Sequence, residues 1–125
     1  MNLTWSGGAY ELALESRREH FLVRNNVIEA DYTVHALPDA ENIARFGRDK
    51  EQIQRFIDDW TEFQPSRTLS VPDLEFVRLC FLEALDFFSD AEYRIRTDWE
   101  KQDAQRVLSG LLKDRKRITI SRQWG

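Results

Sequence analysis

Residues 70–89 read SVPDLEFVRLCFLEALDFFS, and this stretch sets the architecture. Ser70 supplies a capping hydroxyl, and Pro72 fits a first helical turn, where a missing N–H costs nothing. Asp73 lies at the positive end of the helix dipole. The helix opened this way runs to about Ser89. It carries Leu74, Phe76, Val77, Leu79, Cys80, Phe81, Leu82, Ala84, Leu85, Phe87 and Phe88. Its polar residues leave only a narrow stripe, so the pattern predicts a central helix covered on several sides.

Upstream of it, Ile43, Phe46, Lys50, Ile53, Phe56, Ile57 and Trp60 also fall at helical spacing. Gly47 interrupts them at a cost of about 1 kcal/mol relative to alanine, and Asp49 is able to cap a fresh start. The expectation is a short helix from Asp39 to Phe46 and a longer one from Asp49 to Phe63, ended by Pro65 and Ser66. Downstream, Thr97-Asp98-Trp99-Glu100 matches a capping box, and Ala104, Val107, Leu108, Leu111 and Leu112 continue helically to about Lys113. Tyr93 to Thr97 fits a brief strand or a helical extension equally well.

The first 35 residues read as strands. Tyr10, Leu12 and Leu14 alternate with Glu11, Ala13 and Glu15, Leu3 to Trp5 forms a preceding strand, and Ser6-Gly7-Gly8 punctuates between them. Phe21-Leu22-Val23 and Val27-Ile28 flank Arg24-Asn25-Asn26, a hairpin-like arrangement, and Tyr32-Thr33-Val34 continues in β-formers. A helix from Ser16 to Arg24 is the competing reading, since Arg17-Arg18-Glu19 has no strand preference. At the other end, Ile118, Ile120 and Trp124 alternate with Thr119 and Ser121 as a last strand. Strands segregated from helices predict an α+β domain: an antiparallel sheet of an N-terminal meander plus the C-terminal strand, packed against three or four helices.

The whole is expected to form one domain of 125 residues, with 42% apolar and 12% aromatic residues to build a core. One cysteine, Cys80, excludes an internal disulfide and a cysteine-rich zinc site; in its apolar setting it reads as structural. No apolar run is long enough for a membrane span, and Met1 to Ser16 lacks the features of a signal peptide, so the expected location is the cytoplasm. No motif calls for a cofactor.

The net charge of −4 is unevenly spread. Residues 1–35 hold five acids and three bases, residues 36–103 sixteen acids and nine bases, and residues 104–125 one acid and six bases. The acidic middle includes Asp58, Asp59 and Glu62, whose helical positions point away from the apolar stripe. The basic end contains Lys113, Arg115, Lys116, Arg117 and Arg122 with Trp124 nearby, a set suited either to neutralising a helix C-terminus or to holding phosphates beside a stacking ring.

Of the catalytic options, Ser and Cys lack a neighbouring base or a nucleophile elbow. His20 and His35 lack metal-ligand spacing and would work only if folding brought them together with Asp31. The leading expectation is therefore a non-enzymatic protein-binding module of inhibitor, antitoxin, immunity or adaptor type. It would meet a basic partner through Asp58, Asp59 and Glu62. Nucleic-acid binding through Arg115, Lys116, Arg117 and Arg122 comes second, against the net acidity, and a small enzyme built on His20, Asp31 and His35 third. A sheet edge or aromatic patch would equally serve a homodimer.

Overall fold

The computed structural model describes residues 1–34 and 38–112. It begins with a hairpin of β1 (Asn2–Ser6) and β2 (Ala9–Ala13), whose closing pair is Ser6 and Ala9. The two residues between them, Gly7 and Gly8, have φ of 58° and 103°, the positive angles a two-residue hairpin turn needs. A third antiparallel strand, β3 (Ser66–Leu69), pairs with β2, giving the order β1-β2-β3. Tyr10, Leu12 and Leu69 face the core, while Glu11 on the opposite face accepts hydrogen bonds from the hydroxyls of Ser66 and Thr68.

Among the described residues six helices accompany this sheet, so the α+β class holds with more helix than expected. The largest correction is α1 (Arg17–Val34), one continuous helix across the segment expected to supply strands at Phe21–Val23, Val27–Ile28 and Tyr32–Val34. Its buried residues His20, Leu22, Val23, Asn26, Val27 and Ala30 recur every three or four positions. Two of these are polar, so an apolar count splits the stripe into two short runs around Arg24-Asn25-Asn26. Both polar groups are accommodated: Asn26 donates to the Leu22 carbonyl at 2.8 Å and accepts from the Tyr93 hydroxyl at 2.9 Å. Ser16-Arg17-Arg18-Glu19 opens the helix, with Glu19 N–H donating to Ser16 Oγ at 3.4 Å.

α2 (Asp39–Phe46) ends where expected, at Gly47 in the left-handed region. α3 (Lys50–Asp59) starts with Asp49 and Gln52 in a reciprocal capping box, and stops at Trp60 rather than running to Phe63. The chain then turns back into β3, whose Ser66-Arg67-Thr68-Leu69 is too short to announce itself by alternation.

α4 (Val71–Phe87) is capped by Ser70, whose hydroxyl accepts the Asp73 N–H at 3.1 Å. It is central as predicted, packing against α1, α2, β2, β3 and α6. It even encloses Arg78, which donates to the Leu111 carbonyl.

α5 (Asp90–Thr97) is capped by Ser89, and α6 (Lys101–Leu111) follows. The capping box expected at Thr97 is absent. Thr97 closes α5, its hydroxyl donating to the Tyr93 carbonyl at 2.8 Å, while Asp98 takes φ 63° and Glu100 occupies the next cap position. The expected strand at Ile118, Ile120 and Trp124 lies outside the described residues.

Candidate functional site

A cleft of about 500 Å³ opens between α3, β3 and the start of α4. Helical spacing places Gln52, Arg55 and Asp59 along one face of α3, Arg48 enters from the α2–α3 junction, and Arg67 and Thr68 enter from β3. Beneath them lie Phe56 and Trp60, whose rings stack with centroids 5.5 Å apart.

Aromatic rings hold two of the arginines. The Arg67 guanidinium sits 4.5 Å from the Trp60 ring centroid and Arg48 lies 4.6 Å from that of Phe76. Arg48 pairs with Asp73 at 2.5 Å, and Arg55 makes an exposed pair with Glu51 at 3.1 Å. Burial pushes the Arg67 guanidinium below its ordinary pKa, opposed by the charge of Asp59. It still stays charged at neutral pH.

Arg67 also fastens the end of α3. Its Nη1 donates to the Asp59 carbonyl at 2.7 Å and its Nη2 to the Glu62 carbonyl at 2.8 Å. Arg24 reaches the Ile57 carbonyl at 3.4 Å, and the Thr61 hydroxyl donates to that of Asp58 at 2.7 Å. The final turn of α3 has no basic residue of its own, so cations from α1 and β3 meet its negative end. From this fixed backbone Asp58, Asp59 and Glu62 all project into solvent, as the sequence reading expected.

His20 takes part in the same fastening. Its ring is wholly buried, stacks on Trp60 at 5.2 Å and meets the Trp60 carbonyl through Nε2 at 3.0 Å. A carbonyl only accepts, so Nε2 carries the proton, while Nδ1 has no hydrogen-bond partner among the described residues. Burial lowers its pKa from the ordinary 6.5; the Trp60 carbonyl opposes this, and the nearby charges of Arg67, Arg24 and Arg17 add to it.

Below pH 6.5 the unfolded chain therefore takes up a proton that the folded ring resists. Stability attached to His20 is complete above pH 6.5 and falls as the pH drops from there toward the folded value. Glu11, whose carboxyl is held below its usual 4.5 by the Thr68 and Ser66 hydroxyls, acts in a lower window. Denaturant midpoints measured between pH 7.5 and 5 are expected to decline below 6.5, and His20→Phe is expected to flatten that decline. An unchanged slope in the variant would remove His20 as its cause.

The remaining expectations divide. His20 and Asp31 are eleven residues apart on one continuous helix, about 16 Å at 1.5 Å per residue, so they do not converge. His35 lies outside the described residues, as do Arg115, Lys116, Arg117 and Arg122. Among the described residues no group of His, Cys, Asp or Glu is placed to hold a metal ion, and no helix is long and apolar enough to cross a membrane. Cys80 is enclosed in α4, where burial pushes its thiol well above the ordinary range, as suits a packing residue.

Sequence reasoning missed the arginine cleft. The Gln52, Arg55, Asp59 stripe was legible on α3, but Arg67 and Asp73 join it only through the turn into β3. Comparison with known proteins gives no significant match to a family model, a curated protein or a solved structure.

Proposed function

We infer that this chain is a non-enzymatic protein-binding module of inhibitor, antitoxin, immunity or adaptor type, meeting a basic partner through Asp58, Asp59 and Glu62. One observation carries the reading: acids end α3 where helix electrostatics disfavour them. Asp58 and Asp59 are its last two residues, at the negative end of the dipole, and the fold compensates with Arg24 and Arg67 on the neighbouring carbonyls. A local rule broken and compensated elsewhere is what a binding surface looks like when display matters more than helix stability. The fixed carbonyls also hold the three carboxylates on a pre-ordered backbone, which lowers the entropy lost on binding. A cytoplasmic location accompanies this reading, being a compartment in which a lone thiol such as Cys80 stays reduced.

The test uses Asp58→Asn, Asp59→Asn and Glu62→Gln together. The triple variant is expected to stay folded and to gain stability, since each acid at a helix C-terminus costs about 0.3–1 kcal/mol. Affinity capture from the source cells should recover a basic protein with the native chain and lose it with the variant. Association of the purified pair should slow at least tenfold and lose its salt dependence. Equal recovery by both chains, or recovery of nothing by either, overturns the proposal.

A further inference from the structure

We propose that the cleft between α3, β3 and the start of α4 is a binding site for a phosphoryl dianion, held by Arg48, Arg55 and Arg67. The inference does not depend on the acidic turn, with which the cleft shares Asp59, and it uses the opposite charge. Three guanidinium groups reach this cleft from three different elements of a chain whose net charge is −4. Surface arginines normally spread out among acids; bringing three to one concavity raises the local potential for an anion.

Arginines that enter from the α2–α3 junction, from α3 and from β3 suit a tetrahedral ligand better than a planar one. A carboxylate offers two oxygens in one plane, enough for a single fork, and would leave the other arginines unmatched. A phosphoryl group offers three oxygens, one for each wall, with Gln52 also at the cleft.

Each arginine is also fitted for the task. Arg48 and Arg67 are held by the rings beneath them, so little side-chain freedom is lost on binding. Each Nη of Arg67 gives one N–H to a carbonyl and carries a second, so the guanidinium keeps donors beyond those that fasten α3. Arg55 supplies the movable contact: its pair with Glu51 leaves the two side chains 69% and 79% exposed, and such a pair breaks at little cost. Asp59 and Asp73 also line the cleft and reduce its positive charge, which sets the expected affinity in the millimolar range or somewhat tighter. The volume of about 500 Å³ exceeds one phosphate ion and leaves room for a small organic body.

Calorimetric titration of the full chain with inorganic phosphate and with ribose 5-phosphate, in chloride of matched ionic strength, tests this. Saturable binding of either is expected, weakened about tenfold in Arg55→Ala, the loss of one charge-assisted hydrogen bond. Circular dichroism should show that variant folded, because the Arg55 side chain is exposed. Glu51→Gln releases Arg55 and is expected to tighten binding a few-fold. Tighter binding of ribose 5-phosphate assigns the site to a phosphate ester, and equal or tighter binding of inorganic phosphate assigns it to the free ion. Absence of saturation with both probes overturns the proposal, as does saturation that Arg55→Ala leaves untouched.

Discussion

Replacing Phe76 by alanine is expected to destabilise the protein by about 3–5 kcal/mol, the range for removing a large ring from a close-packed site. Phe76 is 1% exposed, and its ring meets Phe56 of α3 at 5.3 Å and Phe46 of α2 at 6.4 Å. It also lies beneath the Arg48 guanidinium, so its loss removes a hydrophobic contact and the support of one wall of the cleft together. Phe87→Ala, the same change on the same helix, removes a ring that is 60% exposed and touches Phe88 at 5.0 Å. It is expected to cost about 1 kcal/mol or less.

Equilibrium urea unfolding of both variants provides the comparison, with slopes of about 1–3 kcal/mol per molar urea for a domain of this size. Since whole domains are stable by about 5–15 kcal/mol, the Phe76 variant should lose a large part of the total. Equal midpoints for the two variants would contradict the packing described for α4.

The contrast between these phenylalanines also shows how far sequence carries. Residues 70–89 declared a central helix because cap, proline and apolar density agreed, and the exposure of Phe87 is the detail that density alone concealed. α1 was misread for the opposite reason. His20 and Asn26 occupy core positions that tertiary partners make tolerable: the Trp60 carbonyl for one, and for the other the Tyr93 hydroxyl, beside the Leu22 carbonyl one turn back in the same helix. Trp60 and Tyr93 are far away in the chain, so local periodicity carries no trace of them. Thr97-Asp98-Trp99-Glu100 misled differently. The motif satisfied a helix-start template, but Thr97 finds the Tyr93 carbonyl one turn back and closes the earlier helix.

At the candidate site the exposed acids were readable from helix position alone. The arginine cleft was not, because its third cation arrives on a four-residue strand whose register against β2 is a tertiary fact.

That strand makes Arg67 the second position of large expected effect. Arg67→Ala should cost about 2 kcal/mol. A charge-assisted hydrogen bond contributes about 1.5–3 kcal/mol, but the part-exposed carbonyls it leaves at Asp59 and Glu62 can be rehydrated, so two such bonds do not simply add. The stacked Trp60 ring would also lose its cover. Arg67→Lys keeps the charge, but one ammonium can neither fork across two carbonyls nor lie flat on the indole, so only about half the loss should be recovered.

The damage should be local. Arg67 stands opposite Leu12 in the β2–β3 register, and the chain leading to it is tied by the Leu14 N–H to the Pro65 carbonyl at 2.8 Å. Releasing the guanidinium therefore loosens the return from α3 into β3 and leaves the α4 core closed. Amide hydrogen exchange should accelerate at residues 60–66 in Arg67→Ala while remaining slow in the middle of α4. Uniform acceleration would mean that Arg67 supports the whole fold, and no acceleration would mean that the end of α3 holds without it. Only local release agrees with a side chain that bridges one helix end, one edge strand and the cleft between them.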